Sequence, residues 1–226
     1  MRVAPLGDAA GYAEFSETLD LEVNEALQGV AAALRARGIA WIRDVVPALG
    51  GVAVHFDPGH PGLPEAPMAE LAALLEECLR AAGRAKPSSR VVEVPVCYEP
   101  EFALDLVEVA SFTGLNPEDV SRVHASGEHR VLMVGFAPGQ PYIGGLDRAL
   151  AVPRRASPRV RVPAGSVAIA NGQTAVYPFE ISGGWSVIGR TPLALFDAFR
   201  DPPSVFSPGD RVRFVPVSRA EFGRLR

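Results

Sequence analysis

The chain has 226 residues, 48% of them apolar and 21% charged, with a formal net charge of −4 at pH 7. This length suits one large domain or two small ones, and the apolar share is large enough to form hydrophobic cores. Because the balance is acidic, and there is no basic tail or basic patch interleaved with aromatic residues, we exclude a general nucleic-acid binder.

The N-terminal part of the chain predicts alternating strands and helices. A short strand over Gly11 to Phe15 precedes a helix over Leu21 to Arg37, with Asp20 as its N-cap and Gly38 past its end. The strands Ile39 to Val46 and Val52 to Phe56, a helix starting near Pro67 and a strand over Arg90 to Val96 follow. This order is that of the split β-α-β, ferredoxin-like unit.

A polar, turn-rich segment, Gly83 to Ser89, marks the predicted domain boundary. We therefore expect an α+β fold in which an N-terminal ferredoxin-like α/β sandwich covers residues 1–86. A second domain covers residues 90–226.

The second domain predicts two short helices followed by many short strands. The helices are Phe102 to Phe112 and one that Asn116 caps, with Pro117 in its first turn. From Arg130 to Val217, Gly and Pro punctuate short β runs, which is typical of a closed or nearly closed barrel. Asn171-Gly172, between alternating runs, is the strongest hairpin signal in the chain.

Arginines are crowded into this turn-rich region and are candidates for binding an anion. Arg159 and Arg161 alternate with valines, so a strand here would place both guanidinium groups on one face, about 6.5–7 Å apart. Arg154 and Arg155 precede them across a proline-bounded bend. Guanidinium groups bind phosphate or carboxylate in a bidentate manner, and a solvated strand face is the alternative interpretation.

Other polar and aromatic side chains are candidates for the same site. Gln173 and Tyr177 fall on one face of the strand after the hairpin, where both could orient an amide or a carboxylate. Trp185 is a candidate pocket wall, and His124, near a helix C-terminus, is a candidate acid, base or phosphate ligand. The alternatives are a satisfied polar pair, a core aromatic residue and a helix-capping histidine.

Three glycines in this region, Gly139, Gly144 and Gly145, could let backbone amides face a ligand and form an anion nest. Plain turn geometry is the alternative.

Several catalytic signatures are missing from the sequence. It contains no GxxxxGK[ST] phosphate loop, no GxGxxG after a strand, no GxSxG elbow and no HExxH motif. Cys78 and Cys97 have no metal-ligand partners at useful spacing. Because these signatures are missing, any catalysis by this chain requires a partner that completes the site.

With no signal region and no segment of membrane-spanning length, we expect a cytoplasmic protein without membrane association.

An ordered series of motifs between Gly135 and Val217 resembles one protein family. The motifs are Gly135-Phe136, Pro138-Gly139, Tyr142, Gly144-Gly145-Leu146-Asp147, Pro153-Arg154-Arg155, Pro158-Arg159, Val162-Pro163-Ala164-Gly165-Ser166-Val167, Gly172-Gln173-Thr174, Tyr177-Pro178, Gly183-Gly184-Trp185, Ile188-Gly189-Arg190-Thr191-Pro192 and Ser207-Pro208-Gly209-Asp210. The series resembles the allophanate hydrolase subunit 1 family, which includes the B subunit of 5-oxoprolinase, the sporulation-kinase inhibitor and a segment of urea carboxylase.

The chain departs from the pattern of this family at two loop positions. Gln140 stands where the family usually has an aromatic residue, and Ser182 stands where it usually has proline. Both departures bear on the shape of the local pocket.

The resemblance implies a cyclophilin-like β-barrel for the second domain and a role as the B subunit of an ATP-dependent 5-oxoprolinase. That reaction opens 5-oxoproline to glutamate. The B and C subunits are expected to activate the lactam by phosphorylation, and the A subunit to complete the ring opening. ATP would be shared with these partner subunits, and no metal is expected from this chain.

The predicted site has a binding set and a catalytic set. The binding set, for substrate or phosphate, is Arg154, Arg155, Arg159, Arg161, Gly139, Gly144, Gly145, Trp185 and Arg190. The catalytic set is His124, where the family tends to have histidine, with Gln173 and Tyr177. The alternatives are a histidine-kinase inhibitor that docks through its Arg/Gly face, and a carboxyltransferase-like component of urea or allophanate metabolism.

Overall fold

A computed structural model describes residues 1–81 and 90–225, and the chain divides into two compact units, Met1–Pro87 and Ser88–Arg226. Each unit has its own hydrophobic core. The segment in which the domain boundary was predicted, Gly83 to Ser89, lies outside the described residues.

The first unit is a four-stranded antiparallel sheet packed against two helices. Its elements are β1 (Arg2–Pro5), β2 (Ala10–Glu14), α1 (Leu21–Ala36), β3 (Ile42–Pro47), β4 (Gly51–Phe56) and α2 (Pro67–Ala81), and the strand order is β1-β2-β4-β3. Helix α1 begins where the Asp20 carboxylate accepts the N–H groups of Glu22 and Val23, at 2.9 and 3.1 Å. The helices bury Leu27 and Leu71 against the sheet.

The strand that was predicted to close this sheet belongs to the other unit. Val91–Val96 (β5) pairs in parallel with Arg211–Pro216 (β13). The edge position beside β2 is occupied instead by β1, at the very start of the chain. The ferredoxin-like prediction is therefore not confirmed, whereas the mixed α/β class is. Alternation identifies a strand but not its partner, because pairing is decided by contacts distant in sequence.

The second unit is built around a seven-stranded sheet that is nearly closed into a barrel. Its elements are β5, α3 (Leu106–Thr113), α4 (Pro117–Ser126), β6 (His129–Val134), β7 (Pro141–Gly144), a 3-10 helix (Arg148–Leu150), β8 (Arg159–Val162), β9 (Ser166–Ala170), β10 (Gln173–Val176), β11 (Ile181–Gly183), β12 (Ser186–Arg190), β13 and α5 (Arg219–Leu225). The strand order is β12-β9-β10-β7-β6-β13-β5. The two edges meet where Cys97 and Arg190 exchange backbone hydrogen bonds of 2.9 Å. The predicted nearly closed barrel is confirmed.

A two-stranded ribbon of β8 and β11 forms an outer layer on this barrel. Strands β9 and β10 join through Asn171-Gly172, both at positive φ, so the predicted hairpin is confirmed. Alternate residues of these strands face opposite ways: Ile169 and Val176 fill the barrel core, while Ala168 and Tyr177 pack with the outer layer. The candidate site lies in this outer layer.

Within the described ranges, no helix is long and apolar enough to cross a membrane.

Candidate functional site

Two of the arginines predicted to bind an anion are held by one buried carboxylate. Asp105, which is 2% exposed, precedes α3. Arg159 donates to both of its oxygens, at 2.6 and 2.5 Å, and Arg155 donates to Oδ1 at 2.8 Å. Asp105 Oδ2 also accepts the Val187 N–H at 2.7 Å. Because Arg155 further donates to Glu108 at 2.7 Å, both guanidinium groups are already neutralised, and a role in binding phosphate loses support.

The expectation that Arg159 and Arg161 share a strand face is wrong. A β-bulge interrupts the pairing of β8 with β11, because the three-residue step from Arg159 to Val162 lies opposite the two-residue step from Gly183 to Ile181. Arg159 therefore turns inward to Asp105. Arg161, whose side chain is 80% exposed, instead lies 3.5 Å from Glu180.

A cavity of 210 Å³ lies next to this ion-pair network. Its walls are Phe136, Gln140, Tyr142, Arg154, Arg155, Pro158, Tyr177, Ser182, Gly183, Gly184 and Trp185. Four residues of the predicted site are thus brought together here: Arg154, Arg155, Tyr177 and Trp185. The volume is below the range of about 300–1,000 Å³ typical of drug-sized ligands, and it suits a ligand of amino-acid size.

Arg154 is the guanidinium group that remains available at this cavity. Its Cζ lies 6.0 Å from the centroid of the Trp185 ring, and Tyr142 packs edge-on against the same ring at 5.7 Å. Among the residues that the structure describes, no carboxylate pairs with Arg154. A cation–π contact positions this charge and leaves its N–H groups free, so Arg154 can receive an anionic ligand.

The two tyrosines of the cavity stay protonated and can act as hydrogen-bond donors. Burial is the main cause that raises the pKa of Tyr177, and it also raises the pKa of Tyr142. The positive charge of Arg154 opposes both shifts without reversing them. No His, Asp, Glu, Lys or Cys is among the cavity residues, so they supply binding groups but no general base.

Two buried polar atoms of cavity residues have no hydrogen-bond partner within the described part of the chain. They are the amide oxygen Oε1 of Gln140, a residue only 3% exposed, and Nε of Arg155. One is an acceptor and the other a donor. Sequence reasoning had marked Gln140 only as a departure from a family pattern.

His124 lies in the barrel core and not at the cavity. It is fully buried, with Nδ1 2.8 Å from the Tyr98 hydroxyl and Nε2 3.1 Å from Thr174 Oγ1. Burial, and then the nearby His129, hold the pKa of His124 well below its ordinary value. A neutral ring with both nitrogens occupied does not support the predicted proton carrier.

Gln173 shares the outer face of β10 but does not line the cavity. It is buried beside the hairpin turn, and its Oε1 has no hydrogen-bond partner among the described residues. Gln173 therefore lies on the same strand face as Tyr177, as predicted, but its side chain does not line the cavity.

Arg190 and the three glycines have structural contacts away from the cavity wall. Arg190 Nε donates to the Ala164 carbonyl at 2.8 Å. Gly145 has a φ of +85°, and a Cβ there would lie 2.1 Å from the Glu128 carbonyl oxygen. Gly139 and Gly144 likewise do not line the cavity. These positions favour plain turn and packing geometry over the anion nest.

A larger groove of 1070 Å³ lies between α3, α4 and the end of β13. Its lining is mainly apolar and contains none of the predicted site residues. We therefore place the candidate site at the smaller cavity. In the described part of the chain, no group of three or more His, Cys, Asp or Glu could hold a metal ion.

The matches of this chain to a family model and to known proteins agree with one another. The model of the carboxyltransferase domain, subdomains C and D, matches residues 1–206. The 5-oxoprolinase B subunit of Bacillus subtilis (strain 168) is 39% identical over 227 residues, which covers 98% of this chain and 95% of that protein. The corresponding B subunit of Escherichia coli O157:H7 is 50% identical over 131 residues, covering 58% of this chain and 60% of that protein.

Solved structures with the same fold include parts of longer chains. TTHA0988 aligns with a TM-score of 0.78 and 36% identity, covering 92% of this chain and 40% of its own. The conserved uncharacterized protein PH0987 from Pyrococcus horikoshii aligns with a TM-score of 0.58 and 36% identity, covering 98% of this chain and 100% of its own. The urea carboxylase of Kluyveromyces lactis has a TM-score of 0.76 at 20% identity, covering 98% of this chain and 22% of its own, a likeness that shows the fold alone.

Proposed function

The chain belongs to the carboxyltransferase subdomain C and D family, with the B subunits of 5-oxoprolinase among its relatives, and we propose that it is the B subunit of an ATP-dependent 5-oxoprolinase. In this proposal the small cavity binds 5-oxoproline. The observation that carries it is the Arg154 guanidinium, held over Trp185 at a cavity of amino-acid size and paired with no carboxylate of the described residues.

The cavity residues match the groups of this substrate. A carboxylate pairs with the guanidinium of Arg154, and the protonated hydroxyls of Tyr142 and Tyr177 are donors for a second oxygen. The apolar ring of 5-oxoproline packs on Trp185.

The chemistry requires groups that this cavity does not contain. A lactam is a poor electrophile, and transfer of the γ-phosphate of ATP to its oxygen makes the ring carbon susceptible to attack by water. The C–N bond then breaks with the ring nitrogen leaving as the amine, and hydrolysis of the resulting acyl phosphate releases phosphate and glutamate. We propose that ATP and the groups that complete this reaction come from the partner C and A subunits. The lack of a general base in the cavity wall supports the assignment of these groups to the partner subunits.

The test compares two arginines in a complex reconstituted with the A and C subunits. Replacing Arg154 with Ala should raise KM for 5-oxoproline by roughly 10- to 150-fold, since a charge-assisted contact contributes about 1.5–3 kcal/mol. The control is Arg161→Ala, which removes an equally long cation outside the cavity and should leave glutamate formation unchanged. An Arg154→Ala enzyme with normal KM would remove the cavity from substrate binding. A wild-type complex that does not convert 5-oxoproline would refute the function.

A further inference from the structure

Two polar side chains, Gln140 and Ser182, lie in the wall of the same cavity. Both line the 210 Å³ space beside Arg154. The aromatic rings in this wall offer mainly stacking and edge contacts. Glutamine offers a hydrogen-bond acceptor and a donor. Gln140 and Ser182 therefore make this wall more polar.

Polar atoms of this wall lack hydrogen-bond partners among the residues that the structure describes. Gln140 is almost fully buried, and its Oε1 has no partner among them. Arg155 Nε also has no partner among them, but it is enclosed by protein and Nη1 of the same guanidinium is held by Asp105 and Glu108, so it is not available to a ligand. An unpaired buried polar atom is costly, so a ligand that donates to Gln140 Oε1 gains more than one that cannot.

The N–H of an amide is the complementary donor. We propose that Gln140 determines specificity at this cavity by accepting a hydrogen bond from the lactam N–H. This inference rests on the proposed function of the site. The terminal amide of Gln140 turns about a soft torsion, so its oxygen can face the ligand without a backbone movement.

The experiment measures how strongly the site prefers a lactam to a lactone. The probes are 5-oxoproline and its analogue in which a ring oxygen replaces the N–H group. Binding of each to the full chain is followed by calorimetry, and kcat/KM for each is measured in the complex with the A and C subunits. Wild type should prefer the lactam by about 3- to 10-fold, the effect expected of one neutral hydrogen bond. Gln140→Leu and Gln140→Phe should bring this ratio close to one, mainly by weakening the lactam.

Gln173→Leu is the matched control. Gln173 is also a buried glutamine whose Oε1 finds no partner in the described ranges, but it does not line the cavity. A general loss of folding would affect both variants and both probes, whereas loss of a specific contact changes the lactam-to-lactone ratio in the Gln140 variants alone. Thermal unfolding of each variant shows that the ratio is read from folded protein.

The outcomes separate the inference from the function it rests on. Equal use of lactam and lactone by wild type, or an unchanged preference in Gln140→Leu, overturns the role of Gln140 while 5-oxoproline remains the substrate. Absence of both binding and conversion of 5-oxoproline by wild type overturns the proposed function, and the inference with it.

Discussion

His124 lies at the helix C-terminus that was predicted for it, but its side chain is buried and not exposed to solvent. The helix C-terminus predicted for it is found, since α4 ends at Ser126. That position favours a cation when the ring faces solvent. Here the ring faces inward onto Phe214, with a centroid distance of 4.4 Å, and burial outweighs the dipole. The histidine therefore contributes to the barrel core as a neutral, hydrogen-bonded group.

This burial predicts that acid destabilises the protein. The native state keeps His124 neutral, whereas the unfolded chain takes up a proton below the usual histidine pKa of about 6.5. Because the unfolded state then binds more protons, stability decreases as the pH falls through that value. Between about pH 7.5 and 5.5 this residue should remove about 1.4 kcal/mol from the free energy of unfolding. Urea titrations across this range measure the loss.

His124→Asn is the comparison variant for this prediction. It should be less stable than wild type at neutral pH, because the contacts with Tyr98 and Thr174 are altered, yet its stability should depend less on pH. An equally steep pH dependence in this variant would assign the acid sensitivity to other groups.

At the residue level, the sequence predicted the available cation and the aromatic wall but not the carboxylate. Arg154, Tyr177 and Trp185 line the cavity as their chemistry suggested. Asp105 was missed because it lies inside the helix predicted over Phe102 to Phe112, where a single acidic residue is ordinary. Its partners Arg155, Arg159 and Val187 lie 50, 54 and 82 residues further along the chain. No local pattern encodes contacts of that range.

The elements around the cavity are joined through this carboxylate. Asp105 connects the start of α3 with strand β8, with the segment before β8 and with strand β12. The bulge in β8 is what turns Arg159 inward to reach it. Strand alternation predicts only a regular pleat, so the sequence identified β8 but not the side on which Arg159 lies.

Removal of this carboxylate should loosen the outer layer. Asp105→Ala leaves Arg155 and Arg159 partly buried without their shared partner, and we expect a loss of about 3 kcal/mol in the free energy of unfolding. Glu180→Ala removes the partner of an exposed arginine, Arg161, and should cost less than about 0.5 kcal/mol. Denaturant unfolding of both variants measures the contrast. Similar losses would show that the buried network is no stronger than a surface pair.

At the scale of the whole molecule, the strand pairing differs from the one that the sequence predicted. The exchange of the closing strand was not predictable, because β5 pairs with β13 across more than a hundred residues and β1 is a short strand at the chain terminus. The fold also occurs within longer chains, since this chain spans 40% of TTHA0988 and 22% of the urea carboxylase.

These observations predict that the isolated chain does not catalyse ring opening. Its cavity residues include donors, a cation and aromatic rings, but no general base, and its sequence contains no phosphate-binding loop. The purified chain with ATP and 5-oxoproline should release no glutamate above background, and adding the A and C subunits should restore release. Omitting each partner in turn shows which one the reaction needs, and the Arg154→Ala chain in the full mixture reports whether the cavity takes part. Sustained ATP-dependent glutamate release by the chain alone would contradict a shared site, because every group for phosphoryl transfer and for attack by water would then have to lie within these 226 residues.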